Sequence, residues 1–171
     1  MTTAPRAAPP PAFVIRAATA ADAPELARLL DALGYPTPVD VVATRVQALV
    51  AAGETALVAA DGPRLLGLLT VHVTPVIHRA GPVGRLTALV VDEGARGRGV
   101  GRALVGAGEG ILIERGCVLI EVTSNKRRTD AHAFYERLGY TATSFRFAKP
   151  IPRLPPERDP GAAPAGEPTA R

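Results

Sequence analysis

The sequence contains no tryptophan and one cysteine, Cys117, and aromatic residues make up only 4% of its 171 residues. One cysteine excludes an internal disulfide framework and a cysteine-based metal cluster, so a reducing compartment is compatible. Cys117 lies just before a predicted strand with no histidine near it in sequence, so we expect it to pack rather than to act as a nucleophile. The core must therefore be built from Val, Leu, Ile and Ala.

Long apolar runs are missing as well. No stretch of 18 apolar residues occurs, and the first residues lack a charged segment followed by a sustained apolar run. We therefore expect a soluble, cytoplasmic protein without a membrane partner. The oligomeric state is left open, and a homodimer is compatible with the sequence.

Lysine is nearly absent from a basic chain. Lys126 and Lys149 are the only lysines among 20 basic residues, and the formal net charge is +4. Arginine binds phosphate groups in a bidentate manner, so an anionic ligand is compatible. The arginines are scattered along the chain, which favours a solvated basic surface, and we expect no nucleic-acid partner.

The three histidines do not indicate a metal site. His72, His78 and His132 have no Glu or Cys at ligand spacing, so we predict no metal and expect surface or hydrogen-bonded histidines.

The composition divides the chain into one domain and two tails. Residues 1–12 and 150–171 are dominated by Pro, Ala, Gly and charge, which cannot bury enough apolar surface to offset the ordering entropy. We predict that both are disordered. Residues 13–149 are then the folded domain, a length that suits a single core.

Hydrophobic periodicity predicts the order β-α-α-β-β-β-α-β-α-β, with one βαβ crossover, so an α+β or mixed α/β sheet is favoured over a doubly wound parallel one. The predicted strands are 13–16, 55–60, 65–74, 85–91, 118–123 and 140–147. The predicted helices begin near Thr19 and Pro38 and cover 99–115 and 129–138. Three alternating glycines, Gly106, Gly108 and Gly110, put the regularity of the third helix in doubt.

A glycine-rich segment follows the fourth predicted strand and opens the third helix. Glycines let backbone N–H groups approach a phosphate closely, and the first turn of a helix offers unpaired donors. Two nucleotide-binding alternatives fit poorly. A Walker loop needs Lys and then Ser or Thr, whereas Arg102 and Ala103 follow Gly101. A dinucleotide fingerprint needs G-x-G-x-x-G, whereas these glycines are spaced by two.

The spacing of Arg96, Gly99 and Gly101 resembles the signature of the GNAT superfamily of N-acetyltransferases: Arg or Gln, two residues, Gly, one residue, then Gly or Ala. The resemblance implies a GNAT-like acyl-CoA N-acyltransferase fold. It also implies that the end of the preceding strand pairs with the pantetheine arm of CoA. It assigns the arm to Leu89, Val90 and Val91, and the pyrophosphate to Arg96, Gly97, Arg98, Gly99, Val100, Gly101 and Arg102.

A second segment resembles the other GNAT motif: a strand, a turn with Asn125, a helix, and then Gly139-Tyr140. The resemblance makes Tyr135 the general acid that protonates the departing thiolate, and a phenol stays protonated at neutral pH. On helical spacing alone, Tyr135 would pack in the core. Asn125 matches the family's cofactor-contacting Asn, and an Asx turn is the alternative.

Glu121 is the leading candidate for the base that deprotonates the amine. Alternation along the strand puts Glu121 and Thr123 on the face opposite Val118, Ile120 and Val122, so Glu121 could face the cleft. A solvated strand glutamate, with water as the base, is the alternative.

The resemblance implies transfer of an acetyl group from acetyl-CoA to a primary amine by direct attack in a ternary complex. Pro75 to Gly84 and the first two helices are expected to line the acceptor side, which carries no acidic cluster. This favours a small-molecule amine over a polycation. The alternatives are a protein N-terminal or lysine acetyltransferase, and a non-catalytic acyl-CoA-binding regulatory domain.

Overall fold

The computed structural model describes residues 13–149 and 151, and within them five strands form one sheet in the order β1-β2-β3-β4-β5. The elements in chain order are β1 (Val14–Ala17), α1 (Ala23–Leu33), α2 (Val39–Ala51), β2 (Thr55–Asp61), β3 (Arg64–Thr74), β4 (Val83–Val91), α3 (Val100–Glu114), β5 (Leu119–Val122) and α4 (Thr129–Arg137). The predicted tails, 1–12 and 150–171, lie outside the described residues except for Ile151, which is exposed.

The predicted mixed sheet is confirmed. Strands β1 to β4 are antiparallel to their neighbours, and the crossover through α3 makes β5 parallel to β4. None of the helices in this part of the chain is long and apolar enough to cross a bilayer.

The prediction of a last strand over 140–147 is wrong. Residues 140–147 form no strand, and the side chains of Phe145 and Phe147 are more than nine-tenths exposed. Threonine and phenylalanine favour extended backbone, but a strand also needs backbone hydrogen bonds to a neighbouring strand. The described sheet ends at β5, and no residue of this segment pairs with it.

The helices cover both faces of the sheet. One buried cluster joins α1 and α2 to one face of β2 and β3, with Leu26, Val46 and Val58 among its members. The other joins α3 and α4 to the opposite face and includes Leu69 and Leu104. Because neighbouring strand residues point to opposite faces, the buried strands β2 and β3 contribute to both clusters.

Helix α3 runs without a break through its three glycines, so the expected irregularity does not occur. Gly108 is buried, and a Cβ there would lie 2.6 Å from Cδ2 of Leu69 and 3.2 Å from Cγ1 of Val71. Gly106 and Gly110 have nothing within 4 Å of such an atom. The small residue at position 108 therefore lets α3 approach β3 closely and hold its first turn at the end of β4.

Candidate functional site

Strand β4 pairs with β3 along its length but with β5 only along its first part. The register with β5 ends where Leu86 faces Val122. On the β3 side, Thr70 faces Ala88 and Val71 faces Leu86, which leaves Thr87 as an extra, bulged residue. A bulge bends a strand and increases its twist, so β4 turns away from β5 at this point. From Thr87 to Val91, the β4 edge nearest β5 is open.

The backbone of Leu89 and Val91 faces this open edge. The N–H of Asp92 donates to the carbonyl of Leu66 at 2.8 Å, and hydrogen-bonded pairs alternate along antiparallel strands. Val90 therefore bonds to β3, as Asp92 does, whereas Leu89 and Val91 present their N–H and C=O groups to the gap beside β5. Two of the three residues expected at the pantetheine arm thus have peptide groups available for an added strand.

The loop after β4 reaches α3 through two left-handed glycines. Gly97 has φ of 76° and Gly99 has φ of 81°, a conformation that side chains disfavour. Helix α3 has Gly99 as its N-cap and no side-chain cap, and its first bond runs from the N–H of Ala103 to the carbonyl of Gly99. Within the described residues, no protein group accepts from the N–H groups of Gly99, Val100, Gly101 and Arg102.

Three arginines lie in the same segment as these open donors. Arg96, Arg98 and Arg102 are all exposed. Arg96 lies 3.9 Å from Glu93, whose side chain is 90% exposed, and such a pair holds an arginine only weakly. The first turn of α3 has no acidic residue. The start of α3 therefore combines free N–H groups, the positive end of the helix dipole and exposed arginine side chains, which together suit an anion.

A buried ion pair anchors the loop to α1. Asp92, at the end of β4, is 8% exposed, and its carboxylate accepts from Arg28 and, at 3.2 Å, from Arg64. Its other oxygen accepts from the N–H of Gly94 at 3.1 Å. Burial alone would raise the pKa of Asp92, but the bonds from Arg28 and Arg64 outweigh it and hold the pKa below its ordinary value. The sequence carries no local signal for this contact, because Arg28 and Asp92 are 64 residues apart.

Helix α4 brings the predicted acid to the start of α3. A Cβ on Gly101 would lie 3.3 Å from Cζ of Phe134, so the two helices meet at this point. The ring of Tyr135 packs edge to face against Phe134 and Tyr140. Burial raises the pKa of Tyr135, and the charge of Arg128 offsets part of that rise. Tyr135 is therefore a protonated phenol at neutral pH.

Asn125 forms the turn between β5 and α4. Its Oδ1 accepts from the N–H of Arg127 at 3.0 Å, and its carbonyl accepts from the N–H of Arg128 at 2.9 Å. This is the Asx turn that the sequence offered as one alternative. The side-chain amide nitrogen of Asn125 takes no part in those bonds and can still donate to a ligand.

Glu121 lies beside Arg85, its partner in the parallel register. Nε of Arg85 donates to Oε1 of Glu121 at 2.8 Å, and a second guanidinium nitrogen donates to the same oxygen. Glu121 is thus a half-exposed, ion-paired carboxylate rather than an isolated one. Ile120 and Val122 pack into the cluster with α3 and α4. Glu121, which alternates with them along β5, therefore lies on the α1 and α2 side of the sheet.

An open cleft of about 410 Å³ lies on this side, where β4 and β5 part. Its walls come from the end of α1, the connection to α2, α2 itself, β4, the end of β5 and the segment after α4. The lining residues are Leu30, Leu33, Tyr35, Thr37, Arg45, Arg85, Thr87, Ala88, Thr123 and Arg146. His78 and Arg79, in the connection expected to line the acceptor side, are exposed and do not belong to this lining.

Two of the three histidines have hydrogen-bond partners outside the cleft. Nδ1 of His72 lies 2.8 Å from Glu54, and Nε2 of His132 lies 3.0 Å from the carbonyl of Asn125. The part of the chain that the structure describes holds no group of three or more His, Cys, Asp or Glu side chains able to bind a metal ion.

The chain is similar to several known proteins. The sequence model of the acetyltransferase (GNAT) family matches residues 26–140 of this chain. An aminoalkylphosphonate N-acetyltransferase from Salmonella typhimurium is 34% identical over 87 residues, which cover 51% of this chain and 56% of that protein. The matched segment therefore spans little more than half of that relative's length.

Two solved structures share the fold over 81% of this chain and 99% of their own. An acetyltransferase from Trypanosoma brucei superposes with a TM-score of 0.73 at 26% identity. A protein described as a transcriptional regulator from Bacillus halodurans superposes with a TM-score of 0.72 at 30% identity.

Proposed function

Because this chain belongs to the acetyltransferase (GNAT) family, we propose that it transfers an acetyl group from acetyl-CoA to the primary amine of a small molecule. One observation carries the proposal: the unpaired N–H groups at the start of α3 adjoin the unpaired edge of β4. One feature suits a diphosphate and the other an extended amide chain, and CoA contains the two in that order.

The start of α3 fits the pyrophosphate. The residues proposed to hold it are Arg96, Gly97, Arg98, Gly99, Val100, Gly101 and Arg102. The unpaired N–H groups begin at Gly99, and phosphate oxygens would supply the acceptors that the described protein lacks there. Gly97 and Gly99 keep the backbone in the left-handed turn that aims these donors outward. Arg102 adds a charge-assisted bond from the first turn of the helix.

The open edge of β4 fits the amide-containing arm. Leu89 and Val91 offer backbone donors and acceptors as an edge strand does, and the proposed arm then lies where β5 has turned away. Val90 lies between them in β4, but its backbone bonds to β3, so its proposed role is to fix the position of the open edge. Asn125 follows β5, the strand that borders the gap, and its side-chain amide N–H would donate to the arm.

Acetyl-CoA, when bound, supplies an acetyl thioester with a good leaving group. A backbone N–H in the stretch from Leu89 to Val91 would polarise the thioester carbonyl. Glu121 or a water accepts a proton from the attacking amine, and the hydroxyl of Tyr135 donates one to the departing sulfur. Cys117 packs into the core beneath α3, which agrees with direct attack without an acyl-enzyme.

A small acceptor is supported by the relative from Salmonella typhimurium, which is named for an aminoalkylphosphonate substrate, and by the size of the cleft. Pockets of a few hundred cubic ångströms suit small molecules. An acetyltransferase acting on protein N-termini or lysines is the alternative acceptor class. The similarity to a protein described as a transcriptional regulator supports a second candidate function, that of a non-catalytic acyl-CoA-binding domain.

Thiol release from acetyl-CoA by the full chain tests the proposal. A panel of small primary amines and short peptides with free N-termini or lysines is offered, and CoA binding is measured in parallel by calorimetry. Acetylation of a small amine with matching thiol release is the expected result. Tight CoA binding without thiol release from acetyl-CoA in the presence of any amine would favour the regulatory domain, and preference for peptides would indicate a protein acceptor.

A further inference from the structure

The charge of the cleft points to the chemistry of its ligand. Arg45 from α2, Arg85 from β4 and Arg146 from the segment after α4 all line it, and no Asp or Glu does. Three arginines from three separate parts of the chain thus meet at one opening. A site lined in this way attracts anions and repels polycations.

The three arginines are not equivalent. Glu121 neutralises Arg85 through two hydrogen bonds. Across the described part of the chain, no carboxylate forms an ion pair with Arg45 or Arg146. The cleft therefore carries two uncompensated positive charges. Both side chains are exposed, so they can bind a ligand without first breaking an ion pair.

The cleft lies next to the proposed acetyl position. Thr87 and Ala88 line it and directly precede Leu89, where the open edge of β4 continues. Thr123, just past the end of β5, lines the other side of the same gap. A molecule held by Arg45 and Arg146 would thus place a second group, a few bonds away, beside the thioester.

We propose that the acceptor is a small primary amine carrying a dianionic phosphonate or phosphate group, and that Arg45 and Arg146 bind that group. This inference rests on the proposed function, since the same cleft must deliver the amine to the acetyl group. A dianion matches the two unpaired guanidinium groups, and each can grip two of its oxygens at once. A carboxylate supplies half that charge and one fewer oxygen.

Matched acceptors test the charge requirement. 2-Aminoethylphosphonate is compared with 3-aminopropanoate, propylamine and 1,3-diaminopropane in the thiol-release assay. We expect kcat/KM to fall in that order, with about tenfold or more separating the phosphonate from the neutral amine. Equal values for the phosphonate and for propylamine would overturn the inference while leaving the proposed function in place.

Arginine variants test the assignment of residues. Arg45→Ala and Arg146→Ala should each raise KM for the phosphonate about tenfold to a hundredfold, since bonds to a charged group are lost. The value of kcat and the Kd for CoA should stay nearly unchanged. Arg45→Lys should bind the phosphonate more tightly than Arg45→Ala does, because it keeps the positive charge. Arg79→Ala removes an exposed arginine outside the cleft and should change nothing. A weaker Kd for CoA in the cleft variants would assign these arginines to the cosubstrate and overturn the proposal.

Direct binding separates this inference from the failure of the proposed function. Methylphosphonate, which has no amine, is titrated calorimetrically into the CoA-saturated full chain. Binding that is lost in the Arg45→Ala, Arg146→Ala double variant supports the anion site even if no amine is acetylated. Absence of binding to the wild-type chain, or binding that survives in the double variant, would overturn it.

Discussion

The rings of Tyr135 and Tyr140 meet edge to face with their centroids 5.7 Å apart, but their hydroxyl groups differ. The Tyr140 hydroxyl donates to Oε1 of Glu109 at 2.7 Å. Among the residues that the structure describes, none forms a hydrogen bond with the Tyr135 hydroxyl. Two tyrosines five residues apart thus have one hydroxyl held by the protein and one available to a ligand.

This difference predicts opposite phenotypes for two phenylalanine variants. Tyr135→Phe should lower kcat about a hundredfold or more, because the departing sulfur loses its proton donor, and leave the Kd for CoA unchanged. Tyr140→Phe should retain turnover and lose about 1 kcal/mol of stability, because Glu109 loses its partner. Steady-state kinetics, calorimetry and urea unfolding measure the three quantities. Normal turnover in Tyr135→Phe would remove Tyr135 from the mechanism.

The ion pair that anchors the loop after β4 predicts a loss of stability that the neighbouring carboxylate Glu93 does not share. Asp92→Asn keeps the shape of the side chain but removes the charge that Arg28 and Arg64 share, so that Arg28 keeps only its ion pair with Glu25, which should cost about 2 kcal/mol of stability. The loosened loop should also weaken CoA binding roughly tenfold.

Glu93→Gln is the matched control, because Glu93 is next in sequence and exposed. Its unfolding free energy and its Kd for CoA should match those of the unmodified chain. If the Asp92→Asn and Glu93→Gln variants had the same unfolding free energy and the same Kd for CoA, Asp92 would not anchor the loop.

The glycines of α3 predict changes of opposite sign in stability. Gly106→Ala should stabilise the protein by about 1 kcal/mol, since the site is open and alanine favours helix. Gly108→Ala should destabilise it by about 1 to 3 kcal/mol, because the new methyl group overlaps the buried side chain of Leu69. Urea unfolding of both variants is the measurement. A stabilising Gly108→Ala would show that α3 does not need this close approach to β3.

An ion pair before α1 predicts a loss of stability in acid. Arg16 donates to both carboxylate oxygens of Asp22, at 2.7 and 2.8 Å. These bonds lower the pKa of Asp22 from its ordinary value of 3.8 to about 2, despite an opposing contribution from burial. A carboxyl group with a depressed folded-state pKa stabilises the protein above its unfolded-state pKa, and that contribution is lost as the pH falls towards 2.

Asp22→Asn isolates this contribution. At neutral pH the variant should be about 1 kcal/mol less stable than the unmodified chain, a value reduced for the 40% exposure of Arg16. The difference should shrink below pH 4 and be small by pH 2, where the folded-state carboxyl is about half protonated. Unfolding curves recorded from pH 2 to pH 7 give the comparison, and a difference that stayed constant over this range would contradict the assigned pKa.

The sequence predicted most of the secondary structure because its signals are local. The predicted helix over 99–115 is observed at Val100–Glu114, and the one over 129–138 at Thr129–Arg137. Gly34, Gly53 and Gly139 all follow helix ends with positive φ, as expected of helix-terminating glycines. The predicted strand over 140–147 was wrong because a strand forms only by pairing with a neighbouring strand, and local residue preferences do not determine whether that pairing occurs.

Periodicity and glycine spacing, read from the sequence alone, determined the mixed sheet, its crossover and the two motifs of the acetyltransferase family. The tertiary structure alone decided where β4 parts from β5, which tyrosine keeps a free hydroxyl, how Arg28 holds Asp92 and which arginines share a cleft. The physical reason is range: backbone preferences act over a few residues, whereas these contacts join positions tens of residues apart. Such contacts exist only once the sheet has brought its helices and loops together.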